Sequence, residues 1–439
     1  MADITVMKTP AETGIAQLFD RLKGSLPGDL SVRESAMAGF AERGLPHRRV
    51  EEFKYTDLRA LLREAAPLAE KPASTDLAVA FNHAKAFTGL SAARLTIVNG
   101  HVATELSEAA AFPAGVEVVP MNEALASAHV MLGSLGAVAA ARANPVYELN
   151  TAFMADGAVI RIPAGTNVEQ PLHLRFVNSG STAFATATRV LVVVEEGASL
   201  TLLESHEGPD GLAYQPNDVI EFVVGDRAQV RHIRLNDEGK DALALSTLTA
   251  RLGAEVSFNT INVVSGAHVS RHQVFLTFEG ENSTARIDGA GLLKGKQHSD
   301  ATLLVDHAVP HCTSRELYKT VLDDDATGVF QGKIIVRPHA QKTDGAMKSD
   351  TLLLSDGASM NNKPELEIFA DDVVCGHGAT CGALDEDLLF YLRSRGLPEA
   401  EAQSLLLQAF IGQAIETVEN EAVHDALVEV VEAWLQARH

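Results

Sequence analysis

The spacing of hydrophobic residues changes twice along the chain. Up to about residue 85, apolar side chains such as Ile15, Leu18 and Leu22 recur at helical spacing, which indicates amphipathic helices. From about residue 92 the apolar residues stand in short alternating runs, which are typical of strands. After Gly382 the helical spacing returns and continues to the end of the sequence. Helical segments are therefore predicted on both sides of a long β region.

The β pattern is densest from Val146 to Phe369, where strand-sized runs are separated by Gly, Asn and Asp turns. Such spacing fits a sandwich, a barrel or a β-solenoid. The solenoid is favoured because the region exceeds 200 residues and contains no tight Asn-Gly hairpin. Each solenoid coil covers its neighbour, so both ends need caps, which the terminal helices are predicted to supply. The predicted domains are 1–90, 91–382 with a helical insertion near 121–143, and 383–439.

Helix boundaries are marked by capping residues. Thr56 is predicted to cap a third N-terminal helix, and Asp385 to cap a helix over 386–395. A last helix is predicted over Glu421–Gln436. In the sequence between these two helices, a further set of apolar residues forms a stripe at helical spacing. This stripe is either a docking surface for another protein or the core of a helical subdomain. Its members are Leu405, Leu406, Ala409, Phe410 and Ile415.

Candidate metal ligands follow a predicted strand at 365–370. A glycine-broken loop is predicted to present Cys375, His377 and Cys381. In Cys375-Gly-His377 a thiolate and an imidazole can reach one metal ion or one sulfur atom. A tetrahedral site needs four ligands, so Cys381 or a partner chain has to complete it. The alternative is a structural loop with a buried cysteine.

A second candidate set is His307, His311 and Cys312, whose spacing resembles that of metal ligands. Side chains alternate between the two faces of a strand, which argues against their convergence. The remaining histidines are scattered through the predicted strands and are interpreted as exposed or as satisfied core residues.

Composition, charge and missing motifs argue against several classes of function. The 439 residues carry a formal net charge of -22, which argues against non-specific nucleic-acid binding. Three cysteines do not make a disulfide framework, the N-terminus lacks the plan of a signal peptide, and no apolar run approaches the ~18 residues of a membrane span. We therefore expect a cytoplasmic protein in a reducing compartment. No phosphate-binding loop, Gly-x-Ser-x-Gly or His-Glu-x-x-His motif occurs, so the chain is not expected to hydrolyse ATP.

Several segments, taken in order, resemble the SufB/SufD family of the SUF iron–sulfur cluster assembly system. One is the densely charged run 44–58, which on its own also fits a solvated loop with local ion pairs, and which resembles the SufD branch of the family. The others are 311–320, 328–333, 341–343, 365–380 and 390–396.

The resemblance implies a right-handed parallel β-helix between two helical domains, and a non-catalytic scaffold subunit. It implies pairing with a SufB-like paralogue through the β-helices, with His377 and Cys375 at the interface as ligands of a transient iron–sulfur cluster that is not stably bound to this chain alone. The pattern is looser at Cys381, which puts a ligand role there in doubt. The isolated chain is open to pairing with a second copy. The resemblance also implies docking of a SufC-like ABC-type ATPase on Tyr391, Leu392, Arg393, Ser394, Arg395 and Gly396.

A competing hypothesis is a β-helix enzyme acting on polysaccharide. Such enzymes bind sugars on aromatic platforms in a charged cleft. An aromatic content of 5%, with one Trp, and the absence of a secretion signal count against it.

Overall fold

The computed structural model describes residues 8–108 and 112–438. In these residues a parallel β-solenoid is flanked by helices on both sides, as predicted. None of the described helices is long and apolar enough to cross a membrane. The helices are α1 (Pro10–Leu22), α2 (Leu30–Arg43), α3 (Leu58–Leu61), α4 (Ser74–His83), α5 (Met121–Ser127), α6 (Ala139–Arg142), α7 (Pro145–Phe153), α8 (Glu386–Ser394), α9 (Glu399–Ile415) and α10 (Glu421–Gln436).

The strands begin at Ala93 and end at Gly382. They are β1 (Ala93–Val98), β2 (His101–Val102), β3 (Glu117–Pro120), β4 (Asp156–Ile162), β5 (Leu172–Val177), β6 (Phe184–Val194), β7 (Ser199–Glu207), β8 (Tyr214–Val224), β9 (Gln229–Asp237), β10 (Leu243–Leu252), β11 (Ser257–Val264), β12 (Val269–Phe278), β13 (Thr284–Leu293), β14 (His298–His307), β15 (Thr313–Leu322), β16 (Thr327–Val336), β17 (Asp344–Leu353), β18 (Ser359–Ile368) and β19 (Val374–Gly382).

From β4 to β19 the strands join two sheets alternately, so that each strand is parallel to the strand two positions further on. The even-numbered strands form one sheet and the odd-numbered strands the other, which gives about eight turns. Neighbouring coils are in register, as at Thr284 and Thr313. Inward side chains from both sheets form one continuous core along the solenoid.

The two ends of the solenoid differ. At the first end β2 runs antiparallel to β1, with Ile97 opposite Val102, and β3 runs antiparallel to β4, with Val118 opposite Ile160. At the other end β18 and β19 are the last strands of their sheets within the described residues. Each has a hydrogen-bonded neighbour on one side only.

The prediction that terminal helices cap both ends is wrong, because the helices pack on the outer faces of the sheets. Leu407 and Leu427 of the C-terminal helices share a core with Ile233 and Ile261, which point outward from β9 and β11. The N-terminal helices and α7 cover the other sheet, around Leu245 of β10. The outward positions of these strands are apolar, and a helix has to cover them.

The C-terminal helices begin and end close to where the sequence predicts, but the predicted apolar stripe of α9 is only partly its buried face. Asp385 caps α8 by accepting hydrogen bonds from two backbone amides, and α10 spans the expected residues. In α9 the apolar stripe predicted from the sequence is wrong in part: Leu407 and Ile411 are buried, whereas Leu405 is exposed. Helix α9 is apolar on most of its circumference, so the pattern alone did not select the buried face.

The prediction that strands begin at Val146 is also wrong, because Pro145–Phe153 is a helix. Asn144 accepts a hydrogen bond from the Val146 amide at 2.9 Å, and Pro145 occupies the first turn, which is favourable for both residues. The helical insertion therefore continues past residue 143.

The charged side chains at positions 48–54 of the segment 44–58 are exposed, as predicted for a solvated loop, but Phe53 and Thr56 are buried and attach the segment to the solenoid. Thr56 does not cap α3, whose N-cap is Asp57; its hydroxyl instead contacts His298 at 2.8 Å and the carboxylate of Asp300. The guanidinium of Arg271 lies 4.0 Å from the ring centroid of Phe53 and forms a fully buried ion pair with Asp300. We call residues 51–57 the strap, since they fasten the N-terminal helices to β12 and β14.

Candidate functional site

Cys375, His377 and Cys381 lie in β19, and the predicted loop is wrong. The flanking glycines Gly376 and Gly378 do not have the positive φ angles that the loop interpretation assumed. A Cβ at either position would meet nothing within 4 Å. Because glycine has no side chain, positions 376 and 378 on the outer side of the last strand carry no side chains.

Strand alternation places the three predicted ligand residues on the inner face of β19. Cys375 is in register with Gly345, and His377 with the buried Met347. The Cys375 sulfur lies 3.6 Å from the position that a Cβ of Gly345 would occupy. Cys375 is half-buried, whereas His377 and Cys381 are exposed. Burial raises the pKa of the Cys375 thiol, so the thiol stays protonated until a metal ion or a base removes the proton.

The open end presents unpaired backbone together with apolar side chains. β19 has free hydrogen-bonding groups along one edge, and so does β18. Beside them Val374 is 72% exposed and Phe369 is 59% exposed. An exposed strand edge with apolar neighbours is a template for pairing with another chain.

The second candidate ligand set does not converge. Cys312 is buried, with its sulfur 3.4 Å from the Gly280 carbonyl oxygen, and the His307 Nε2 lies 3.1 Å from the Ser314 hydroxyl. His311 is exposed. In residues 8–108 and 112–438 no group of three or more His, Cys, Asp or Glu side chains is arranged to hold a metal ion. Cys375 and His377 therefore offer two ligands to a site that needs more.

The residues predicted to dock an ATPase lie in and after α8. This helix buries none of its residues, and Phe390 and Tyr391 are 74% and 53% exposed. Leu392 is half-buried, while Arg393, Ser394, Arg395 and Gly396 are exposed. The helix therefore presents an apolar patch, formed by Leu388, Phe390 and Tyr391.

Sequence reasoning missed the polar side chains inside the last coils. Glu316 and Tyr318 point into the solenoid, whereas Val321 points outward beneath the C-terminal helices. The signal was present as strict alternation in β15. The alternation did not indicate buried polar side chains, because the polar side of an alternating strand normally faces solvent. In this protein both faces of the strand are covered.

These features define a parallel β-solenoid protein whose last strand presents an unpaired edge and an incomplete set of metal ligands. Comparison with known proteins agrees with this description. The family model described as "SUF system FeS cluster assembly, SufBD core domain" matches residues 176–410. The model "SufBD protein N-terminal region" matches residues 24–174. The chain belongs to the SufBD family of iron–sulfur cluster assembly proteins.

Individual relatives cover most of the chain. An iron–sulfur cluster assembly SufBD family protein of Synechocystis is 35% identical over 387 residues, which are 85% of this chain and 84% of the relative. The iron–sulfur cluster assembly protein SufD of Escherichia coli is 29% identical over 383 residues, 87% of each chain. SufD of Bacillus subtilis is 27% identical over 295 residues, 65% of each chain. The resemblance to this family is confirmed, and it supports a role in iron–sulfur cluster assembly.

Proposed function

We propose that this chain is a non-catalytic scaffold subunit that pairs with a SufB-like paralogue through the open end of its solenoid. The observation that carries the proposal is the unpaired edge of β19, which presents Cys375 and His377 where a second chain can add ligands. Iron–sulfur clusters are held mainly by thiolates, with histidine as an occasional ligand. A transient cluster is then shared between two chains, and this chain supplies His377 and, once deprotonated, Cys375.

We further propose that a SufC-like ATPase docks on α8. The exposed rings of Phe390 and Tyr391 are the kind of aromatic anchors that dominate protein interfaces. The helices behind them are joined to the solenoid through a shared core. Movement of a docked ATPase can therefore be transmitted to the strands that carry the cluster site.

The cluster site is tested by reconstitution of the complex with ferrous iron and sulfide under anaerobic conditions. We expect His377→Ala to leave complex formation intact and to lower cluster formation, followed by visible absorption. The matched control is His268→Ala, because His268 is exposed and lies in the turn before β12. Wild-type cluster yield from the His377→Ala complex would contradict the ligand role.

The two docking surfaces are tested by copurification. Phe390→Ala is expected to weaken ATPase binding and to preserve pairing with the paralogue, whereas Val374→Lys is expected to do the reverse. Val130, 86% exposed in the segment between α5 and α6, provides the control Val130→Ala, which should affect neither. Loss of both partners with either variant would contradict the assignment of separate surfaces.

A further inference from the structure

A line of polar side chains crosses the last three coils on the outer face of the odd-numbered sheet. Lys319 of β15 is in register with Asp350 of β17, and Asp350 is in register with Thr380 of β19. The Lys319 ammonium donates to one carboxylate oxygen of Asp350 at 2.7 Å, and the Thr380 hydroxyl donates to the other oxygen at 2.7 Å. Side-chain contacts therefore join β15 to the strand that carries Cys375 and His377.

The first residue of this line lies beneath the C-terminal helices. The Lys319 ammonium is 4.6 Å from the ring centroid of Phe410 in α9, which is a cation–π contact. Helix α9 packs against β13 and β15, and α8, the proposed ATPase-docking helix, packs against α9. In the same sheet β19 is the second strand beyond β15. Successive side-chain contacts therefore lead from Phe410 to β19.

The same column is apolar in the earlier coils. Leu235, Val263 and Ala290 precede Lys319 in register and are buried beneath the C-terminal helices. Lys319 and Asp350 are each 4% exposed. A buried ion pair commonly stabilises a protein no more than apolar side chains of similar size would. Stability alone therefore does not explain why charged residues replace apolar ones in this column.

The buried carboxylate of Asp350 is held in its charged form. Burial on its own raises the pKa of Asp350, but hydrogen bonds from three side chains, Lys319 foremost, outweigh it and lower that pKa. One of the three is Lys348, whose ammonium lies 3.0 Å from the same oxygen that Lys319 binds, although its side chain is 59% exposed. Hydrogen bonds to a charged acceptor are roughly twice as strong as neutral ones. A shift of Lys319 therefore displaces the acceptor to which Thr380 is bound.

We propose that Lys319, Asp350 and Thr380 form a relay that couples the position of α9 to the position of β19. Chains of packed and ion-paired side chains can carry energetic coupling between distant parts of a protein. The three are positioning residues, which act on Cys375 and His377 through the backbone of β19. The use of the relay in cluster assembly, where a docked ATPase moves these ligands, rests on the proposed function; the relay itself does not.

The relay is tested in the full chain by hydrogen exchange of the β19 amides, in a double-mutant cycle. We expect Lys319→Met, which keeps the apolar stem, to speed up this exchange at least about tenfold, and Phe410→Leu at least about threefold. In the double variant the two accelerations should not multiply, because Phe410 acts on β19 through Lys319. Two residues that stabilise the molecule independently would give accelerations that multiply.

Each variant of the cycle has a matched control. Lys348→Met removes the exposed lysine from the same carboxylate oxygen, and Val418→Ala trims a half-buried side chain that packs on the same core as Phe410 but lies over β9 and β11. Both should leave the exchange of β19 within about twofold of the wild type.

A milder variant breaks the last contact of the relay. Thr380 is exposed, so Thr380→Val keeps the test decisive even if Lys319→Met does not fold. In the Thr380→Val background we expect Phe410→Leu to have no further effect on the exchange of β19. Circular dichroism checks that each variant is folded.

The proposal has outcomes that overturn it. Unchanged exchange of β19 in folded Phe410→Leu, or accelerations that multiply when Phe410→Leu is combined with Lys319→Met or with Thr380→Val, would show that α9 and β19 are not coupled through these residues.

The outcome is separable from that of the proposed function. Multiplying accelerations, together with impaired cluster formation by the His377→Ala complex, remove the relay alone. Accelerations that do not multiply, together with full cluster formation by the His377→Ala complex, remove the shared cluster site and keep the relay.

Discussion

The first coil of the solenoid is closed, whereas the last coil is open. At the closed end β2 and β3 occupy the two sheet edges, and Asp156 accepts hydrogen bonds from the amides of Val102 and Asn122. At the open end almost every residue of β19 is exposed. Exposed strand edges promote aggregation, and natural proteins usually protect them. The contrast supports the proposal that the open edge pairs with a partner, and it leads us to expect that stability resides in the covered part of the molecule.

The largest effect is expected where the strap joins the solenoid. Arg271→Ala leaves the buried carboxylate of Asp300 without its cation, which should cost about 3–5 kcal/mol of unfolding free energy. Urea denaturation measures the change. Lys240→Ala removes an exposed ion pair with Asp210 and should leave the urea midpoint unchanged. If both variants unfold at the same urea concentration, the strap does not stabilise the covered part.

Next in size is a substitution at the closed end. Asp156→Ala leaves the amides of Val102 and Asn122 without acceptors, and we expect a loss of about 2–4 kcal/mol. Asp156→Asn, which keeps one oxygen, should lose less. Hydrogen exchange of the Val102 amide should speed up in both variants; unchanged protection would show that the closed end does not depend on this carboxylate.

A smaller, pH-dependent effect on the unfolding free energy is expected from Glu238, in the interior between the two ends of the solenoid. Burial raises the pKa of Glu238 to about 7, with His206 opposing the shift. The folded pKa lies above the unfolded value of about 4.3, so the native state binds the proton more tightly. The stabilisation is complete below the unfolded pKa and is lost as the pH rises through about 7.

The measurement compares the wild type with Glu238→Gln, which does not titrate. Between about pH 5 and about pH 8 the wild type should lose about 2–3 kcal/mol relative to the variant. The Tyr214 hydroxyl, 2.6 Å from the carboxylate, can donate to the amide oxygen as well. A constant difference across this pH range would exclude the raised pKa.

The smallest effect on stability is expected at the open end. Val374→Lys alters an exposed side chain, so the unfolding free energy should change by less than about 0.5 kcal/mol. The same change places a charge beside the unpaired edge and should abolish pairing with the paralogue. A large loss of stability in the isolated chain would mean that this edge is part of the folding core, contrary to the comparison.

Much of the candidate site was predictable because short-range patterns carry it. The spacing of Cys375 and His377 and the N-cap at Asp385 depend on neighbouring residues only. The strand predicted at 365–370 was also correct as far as Ile368, the last residue of β18, and Leu366 within it packs against the solenoid core. The prediction of a loop was wrong because glycines such as Gly376 and Gly378 usually interrupt strands, whereas pairing with β17 holds these two in a strand.

The sequence by itself determined the order of helical and β segments, the solenoid and the pair of candidate ligands, since periodicity and capping are local properties. Only the tertiary structure decided that the terminal helices cover the sheet faces, that the strap reaches β12 and β14, and that Glu316 is buried inside the last coils. The strap and the strands that it contacts are far apart along the chain, and their contact is fixed by the stacking of coils. Local periodicity carries no information about which outer face is covered or which end is left open.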